Sequence, residues 1–371
     1  MTFDKTDLED IYMETALYYA KKSCDTMMRK FAAPELPPVA KFHYHQGVFL
    51  SGMQKVYGVC KEEKYYNYIK EWVDSIIYED GSIHDFDKGM LDDIQPGILL
   101  FDLYKRTGDE RYKIALDTLM PILRNWKCNE YGGFWHKEWH PNQMWLDGLY
   151  MAGPLEAEYS ATFGDNHYIE TAINQIILMK EHIQDPETKL LYHAWDASKE
   201  MEWADKETGL SPEFWGRALG WYVVAILDIL EFVPENHPKR QTIIDIELEV
   251  LEALTKYQDK ETGMWYQVVD KPDCEGNWIE SSCTSLFSYA MAKAVRMGLA
   301  DKKYLDIAMK GFEGVINKSI EFDGDDLLIG GVCIGTGVMG YEGYIARPTS
   351  INDLHGAGAF LLMCAEIAKH Q

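Results

Sequence analysis

Asp147 is the one carboxylate in the apolar stretch Met144-Trp145-Leu146-Asp147-Gly148-Leu149-Tyr150, and the segment Gly132-Gly133-Phe134-Trp135-His136-Lys137 runs just ahead of it. An aspartate at the head of an apolar helix can be nothing more than a cap or a first-turn charge favoured by the helix dipole. The surrounding Trp135, His136, Trp145 and Tyr150 point elsewhere: aromatic walls desolvate a carboxyl and raise its pKa toward general-acid duty. Leu91-Asp92-Asp93-Ile94 offers further carboxyl groups at the equivalent place one repeat earlier. Glycosidic chemistry commonly needs two, one to donate a proton and one to hold or activate water. Either member of that pair could instead cap the helix that contains Pro96.

A cation is placed to meet an acidic ligand. In Trp215-Gly216-Arg217-Ala218-Leu219-Gly220-Trp221, Arg217 and Trp221 are four apart and share a helix face. The planar guanidinium could hold a carboxylate while an indole stacks on a sugar ring; the structural alternative is a buried ion pair with Glu213. His193, in Leu191-Tyr192-His193-Ala194-Trp195, is a further candidate, although a lone histidine is more often structural. His43 and His45 form a HisxHis pair without further ligands at a recognisable spacing, so no metal is expected. Gly335-Thr336-Gly337 lacks the sequence and context of a phosphate loop and reads as a flexible wall of a sugar cavity.

These residues recur at comparable places in a repeating pattern of a Gly- and aromatic-rich threshold, a small-residue-rich apolar helix, a polar turn and an amphipathic helix. Six thresholds stand near Tyr44, Leu91, Trp145, Trp215, Trp278 and Asn352. The apolar stretches after them, such as Pro96 to Tyr104, Tyr150 to Tyr159, Ala218 to Leu230 and Ser285 to Val295, carry few charges on any face, as buried helices do. Charged helices with apolar residues at i, i+3, i+4 and i+7 lie between, opened by turns such as Gly108-Asp109 and Gly164-Asp165. Counting the helix from about Leu8 to Phe31, six outer helices alternate with six inner ones, which predicts an all-α closed toroid, an (α/α)6 barrel, formed by residues 1–371 as one domain. An open solenoid would have shorter, more uniform repeats of roughly 20–45 residues. The long Trp- and Gly-rich loops from Asn129 to Trp145, Leu190 to Trp215 and Gly263 to Trp278 should converge at one end of the barrel.

The bulk composition narrows the partners. A formal net charge of −24 argues against nucleic acid and against a membrane surface, and requires local Arg, Lys or His wherever an acidic ligand binds. Hydrophobic residues at 47% supply a large core. Seven scattered cysteines without CxxC spacing read as reduced thiols. The polar segment Met1-Thr2-Phe3-Asp4-Lys5-Thr6-Asp7 does not read as a signal peptide, and no run approaches the roughly 18 apolar residues of a membrane span. A reducing cytoplasm is the expected location; composition does not indicate an oligomeric state.

The blocks Gly132 to Lys137, Met144 to Pro154, Leu91 to Gly97, Ser211 to Trp221 and Tyr344 to Gly356 resemble glycoside hydrolase family 105, the unsaturated rhamnogalacturonyl hydrolases, relatives of the unsaturated glucuronyl hydrolases. The resemblance implies an (α/α)6 barrel acting on a small acidic oligosaccharide, at the 4,5-unsaturated uronic acid that polysaccharide lyases leave on a non-reducing end. It implies hydration of the C4=C5 bond, after which an unstable hemiketal opens and the neighbouring sugar departs. By the same resemblance Asp147 matches the general acid/base and Asp92 the second aspartate, with Asp93 the alternative. His193, Trp215, Arg217 and Trp221 match substrate contacts, His136 and Lys137 lie in the signature loop, and Tyr44 joins the site. No metal or organic cofactor is implied. The leaving sugar is expected to be that of an unsaturated rhamnogalacturonan disaccharide, with glucuronyl or galacturonyl substrates as alternatives. Two other classes compete: a sugar epimerase, which uses the same toroid with histidines for proton exchange, and a carbohydrate-binding toroid without catalysis.

Overall fold

The computed structural model describes residues 5–370, with side chains from residue 14 onward; the first four residues of the segment read for a targeting leader lie outside them. In chain order the α-helices among the described residues are α1 (Lys5–Lys30), α2 (Tyr44–Cys60), α3 (Glu63–Ile76), α4 (Leu99–Thr107), α5 (Glu110–Arg124), α6 (Leu146–Phe163), α7 (Asn166–Ile183), α8 (Gly216–Leu230), α9 (Arg240–Thr255), α10 (Ser281–Arg296), α11 (Lys303–Ser319), α12 (Tyr341–Ile345) and α13 (Leu354–Ile367). Inner helices α6, α8, α10, α13 and α2 pack one against the next, and the 3₁₀ turn Gln95–Ile98 that leads into α4 packs against both α2 and α6 to close the ring. Helices α1, α3, α5, α7, α9 and α11 pack outside them. The fold is the (α/α)6 barrel.

Inner helices are buried nearly all round because their sequences leave no polar face. Every residue of α13 is buried, and all of α8 except Asp228. Ring closure depends on small residues: a Cβ added to Gly358 would stand 2.6 Å from the Val48 backbone, so α2 and α13 touch main chain to main chain. Passage from inner to outer layer uses one device twice. Gly108 (φ 68°) ends α4 and Gly164 (φ 83°) ends α6, each followed by an aspartate, Asp109 or Asp165, whose carboxylate accepts the N–H two residues on to cap the outer helix. The expected helix from Pro96 to Tyr104 is broken. Two 3₁₀ turns, Leu91–Asp93 and Gln95–Ile98, precede α4, because Pro96 brings no N–H to a helical ladder and fits only its first turn.

The loops preceding the inner helices are stitched into a collar. Met90 bridges Lys137, β1 (Gln143–Trp145) pairs with β2 (Ala194–Asp196), and Trp215 bridges Val268. Then β3 (Trp265–Tyr266) pairs with β4 (Ile279–Glu280), a hairpin of β5 (Ile320–Asp323) and β6 (Asp326–Ile329) follows α11, and β7 (Val332–Cys333) pairs with β8 (Thr349–Ser350). The Met90–Lys137, β1–β2 and Trp215–Val268 pairings each lock one threshold to the next loop, while β3–β4 and β7–β8 close within single loops, and together they hold the helix N-termini around one mouth. All seven cysteines are unpaired. Among the described residues no helix is long and apolar enough to cross a membrane.

Candidate active site

Trp145 occupies the cap position of α6, which sets Asp147 in its first turn rather than at the cap itself. The carboxylate is buried, and His193, carried by the loop ahead of β2, brings Nε2 to 3.2 Å from Oδ2. The distance suits an ion pair but the angle misses a hydrogen bond, so neither atom is saturated. The other face of the ring is fixed: Nδ1 lies 2.6 Å from the Tyr344 hydroxyl, which accepts the Met339 N–H at 3.3 Å. With Tyr344 donating to Nδ1, the ring proton sits on Nε2 and faces Asp147. Burial pushes the Asp147 carboxyl up, but His193, His136 and Arg217 together hold it below the ordinary aspartate range. The raised value expected from its aromatic walls is therefore corrected: the walls are present, and the basic groups between them outweigh desolvation.

Asp92 is the second buried carboxylate. Its Oδ1 is 3.4 Å from His136 Nε2 and its Oδ2 3.0 Å from Lys137 Nζ. Burial pushes it up, and His136, Lys137 and His43 more than reverse the effect. His136 stacks on Trp145 with ring centres 4.5 Å apart, and a Cβ on Gly148 would lie 3.5 Å from its Nδ1, so the glycine after Asp147 makes room for the ring. Burial lowers the His136 pKa to about 4 even though Asp92 and Asp147 both pull it upward. Its ring thus stands beside Asp92 and within electrostatic reach of Asp147. Asp93 faces away to His43, Oδ1 to Nδ1 at 2.5 Å, and burial raises its pKa.

Arg217 is buried with its guanidinium 4.5 Å over the Trp215 ring. Its Nη1 donates to the Cys333 carbonyl and Nη2 to that of Ile334 at 2.7 Å. Of five N–H donors these occupy two, so the fork retains capacity for an anion. The alternative of a Glu213 ion pair does not occur; Glu213 pairs with Lys271. Trp215 also lies 4.6 Å from the His193 ring. Trp221 is not at this cluster's surface: one turn below Arg217 it stacks on Tyr150 at 4.5 Å and is fully buried.

The chain matches the family described as Glycosyl Hydrolase Family 88 over residues 19–371. It belongs to that family of glycoside hydrolases. A solved Clostridium acetobutylicum ATCC 824 glycoside hydrolase from family 105 is similar at 36% identity and TM-score 0.89, with 94% of this chain and 99% of that one covered. The unsaturated rhamnogalacturonyl hydrolase YesR of Bacillus subtilis strain 168 is 28% identical over 330 residues, 87% of this chain and 88% of its own length. An unsaturated glucuronyl hydrolase from Bacillus sp. GL1 shares the fold alone, with TM-score 0.70 at 15% identity and 94% and 95% coverage.

Around the aspartates of this hydrolase stand residues that sequence reasoning missed. Tyr344 fixes His193, and the carbonyls of Cys333 and Ile334 fix Arg217; nothing in the sequence marks a phenol so far along the chain, or a main-chain oxygen, as part of the site. Tyr44, at the start of α2, stacks near His45 at 4.2 Å and His355 at 6.1 Å. Burial raises its phenol, Arg217 opposes this, and Asp92, Asp353 and Asp147 add to it, so Tyr44 lies within electrostatic reach of these four groups. His45 stacks on His43 with ring centres 5.2 Å apart and also meets Asp353 (3.7 Å), which in turn meets His355 at 2.8 Å. Among the described residues these three alone gather metal-ligating atoms within 4.8 Å of one another. His355 Nε2 donates to the Cys333 carbonyl at 2.9 Å, so the trio also works as a clamp on the loop that carries Arg217's acceptors.

Proposed function

We propose that this hydrolase releases a 4,5-unsaturated uronic acid from the non-reducing end of lyase-generated oligosaccharides, with unsaturated rhamnogalacturonan disaccharide as the substrate. The observation that carries the reading is the pair of buried carboxylates, Asp147 and Asp92, each with its own basic partner and with His136 within reach of both. YesR, 28% identical over 87% of this chain and 88% of its own length, supports the choice of sugar.

The substrate carboxylate docks on the free donors of Arg217, with Trp215 behind it and Tyr44 at the side. Docking changes Asp147 twice: it neutralises one of the cations that keep the carboxyl ionised, and it adds a negative charge nearby. Both raise the Asp147 pKa. Asp147 thereby takes up a proton and delivers it to C4, while water adds to C5 with its proton passing to a carboxylate, Asp92 or the newly ionised Asp147. The C5 hemiketal opens and the neighbouring sugar departs with a free C1 carbonyl left behind. His193 aims Asp147, and Lys137 keeps Asp92 ionised; Trp221 supports the floor from within.

The test is incubation with the unsaturated disaccharide in ¹⁸O-water. Ultraviolet absorbance of the C=C bond should disappear and the label should appear at C5. Label at C1, or epimerisation of saturated aldoses with the absorbance intact, would overturn the reading.

A further inference from the structure

The HisxHis pair of His43 and His45 has no further ligands in its own stretch of chain, and the fold supplies them from the far end. Asp353 and His355, at the head of α13, meet His45 in the first turn of α2, and one donor atom from each of the three falls within 4.8 Å of the others. We propose that His45, Asp353 and His355 form a divalent-metal site of the zinc class, which fastens the head of α13 to the head of α2.

The placement of protons on His355 carries the argument. Its Nε2 lies 2.9 Å from the Cys333 carbonyl, and a carbonyl only accepts, so Nε2 carries the ring proton. In the neutral ring Nδ1 then presents a lone pair, and it presents it to Asp353 Oδ1 at 2.8 Å. His193 differs here, because its outer partner is a hydroxyl that can donate and so leaves the ring proton for Asp147. At His355 a second proton would have to charge a fully buried ring, and the Nδ1 contact misses the alignment of a hydrogen bond. Two acceptors held this close repel unless a positive centre is shared between them. A metal ion is such a centre, and the Nε2–H bond to a main-chain carbonyl is the outer-shell contact that orients a ligating imidazole.

The other two ligands are equally set aside for this use. Asp353 occupies the cap position of α13, yet its side chain accepts no N–H from the helix; it turns to the histidines instead. Its charge offsets the positive ends of α2 and α13, which by themselves disfavour a cation. His45 stands 3.7 Å from Asp353 through Nε2 and keeps a buried Nδ1 with no hydrogen-bond partner among the described residues. Donors on a tetrahedral ion with bonds of about 2.0–2.2 Å stand roughly 3.4 Å apart. The Asp353–His355 contact would open to that value and His45, whose side chain is 25% exposed, would swing inward.

An ion has a way in. His45 and Asp353 line one end of a groove of about 590 Å³ between the C-terminal turn of α1 and the 350–354 loop, which also leaves the fourth position open to water. Two imidazoles and one carboxylate suit zinc, whereas magnesium prefers oxygen ligands in octahedral array.

The test is calorimetric titration of zinc chloride, and separately magnesium chloride, into full-length protein dialysed against chelator, with thermal unfolding measured alongside. One zinc per chain should bind with Kd of about 1 μM or tighter, and Tm should rise with zinc concentration. His45→Gln and Asp353→Asn should each weaken zinc by at least about 100-fold. His45→Gln alters a partly exposed side chain, and its circular dichroism should match wild type, so its loss of zinc reads the ligand and not the fold. Absence of zinc binding, zinc binding unchanged in both variants, or magnesium bound as tightly as zinc overturns the site.

Discussion

His193 Nε2 stands 3.2 Å from Asp147 Oδ2 in a buried contact that is electrostatically close but poorly aligned for hydrogen bonding. The pair holds Asp147 as a carboxylate in the free protein, while the proposed chemistry needs it to carry a proton. The two are compatible only if the substrate's own charge drives protonation. Binding of a saturated uronate glycoside near neutral pH should therefore take up about one proton. Calorimetry in buffers of different ionisation enthalpy measures this. Asp147→Asn should bind with no uptake and lose about 10²–10⁴-fold in turnover; wild-type binding without proton exchange would remove Asp147 from the donor role.

Asp92 is kept ionised against burial by His136, then Lys137, then His43. A carboxylate that activates water must be charged, so activity it supports is present above its folded pKa and lost as pH falls through it. Lys137→Met removes one of the groups that depress that pKa, and the acid limb of kcat/KM should move to higher pH. Lys137→Arg should restore it toward wild type. A pH profile identical in Lys137→Met and wild type would show that the ion pair is only structural.

Arg217 spends two donors on the Cys333 and Ile334 carbonyls and keeps its plane on Trp215. Lysine can supply the charge but not the fork. Arg217→Lys should raise KM for the unsaturated disaccharide by about tenfold or more, with a smaller change in kcat. Steady-state kinetics separates the two, and an unaltered KM would mean that the uronate docks elsewhere.

The barrel was legible because its layers differ so plainly in composition. Stretches such as Ala218 to Leu230 have no polar face to turn outward, and Gly-Asp pairs punctuate the passage to the outer layer. Asp147, Asp92, His136 and Arg217 stand out because they break apolar or aromatic surroundings, Lys137 and His193 are expected at the site only from the family resemblance, and the collar draws all six together. Less could be read where partners are distant in sequence. Tyr344 reaches His193 across 151 positions, and Arg217 is held by main-chain oxygens that have no side-chain signature. The sign of Asp147's pKa shift was misjudged for the same reason: desolvation follows from neighbouring aromatics, but the compensating cations arrive from α8 and from the loops before α6 and β2. The 350–354 loop holds one of the six thresholds, yet its Asp353, with His355 at the start of α13, gains meaning only beside His45.

Two buried carboxyls outside the mouth lack hydrogen-bond compensation. Glu156 in α6 and Glu247 in α9 are fully buried, and all four of their oxygens lack hydrogen-bond partners. Burial raises both pKa values well above the ordinary glutamate range; Lys293 lowers that of Glu247 only in part. In the unfolded chain each ionises near pH 4.3, while in the fold each ionises only at higher pH. Their stability contribution is therefore complete below about pH 4.3 and falls as pH rises toward the folded values, at up to about 1.4 kcal/mol per pH unit for each group. Glutamine keeps the shape of a protonated glutamate without the ionisation. Urea unfolding at pH 5 and pH 8 should show the double variant Glu156→Gln, Glu247→Gln gaining on the wild type as pH rises, by more at pH 8 than at pH 5. Parallel stability profiles would mean that these acids find partners or water that let them ionise inside the barrel wall.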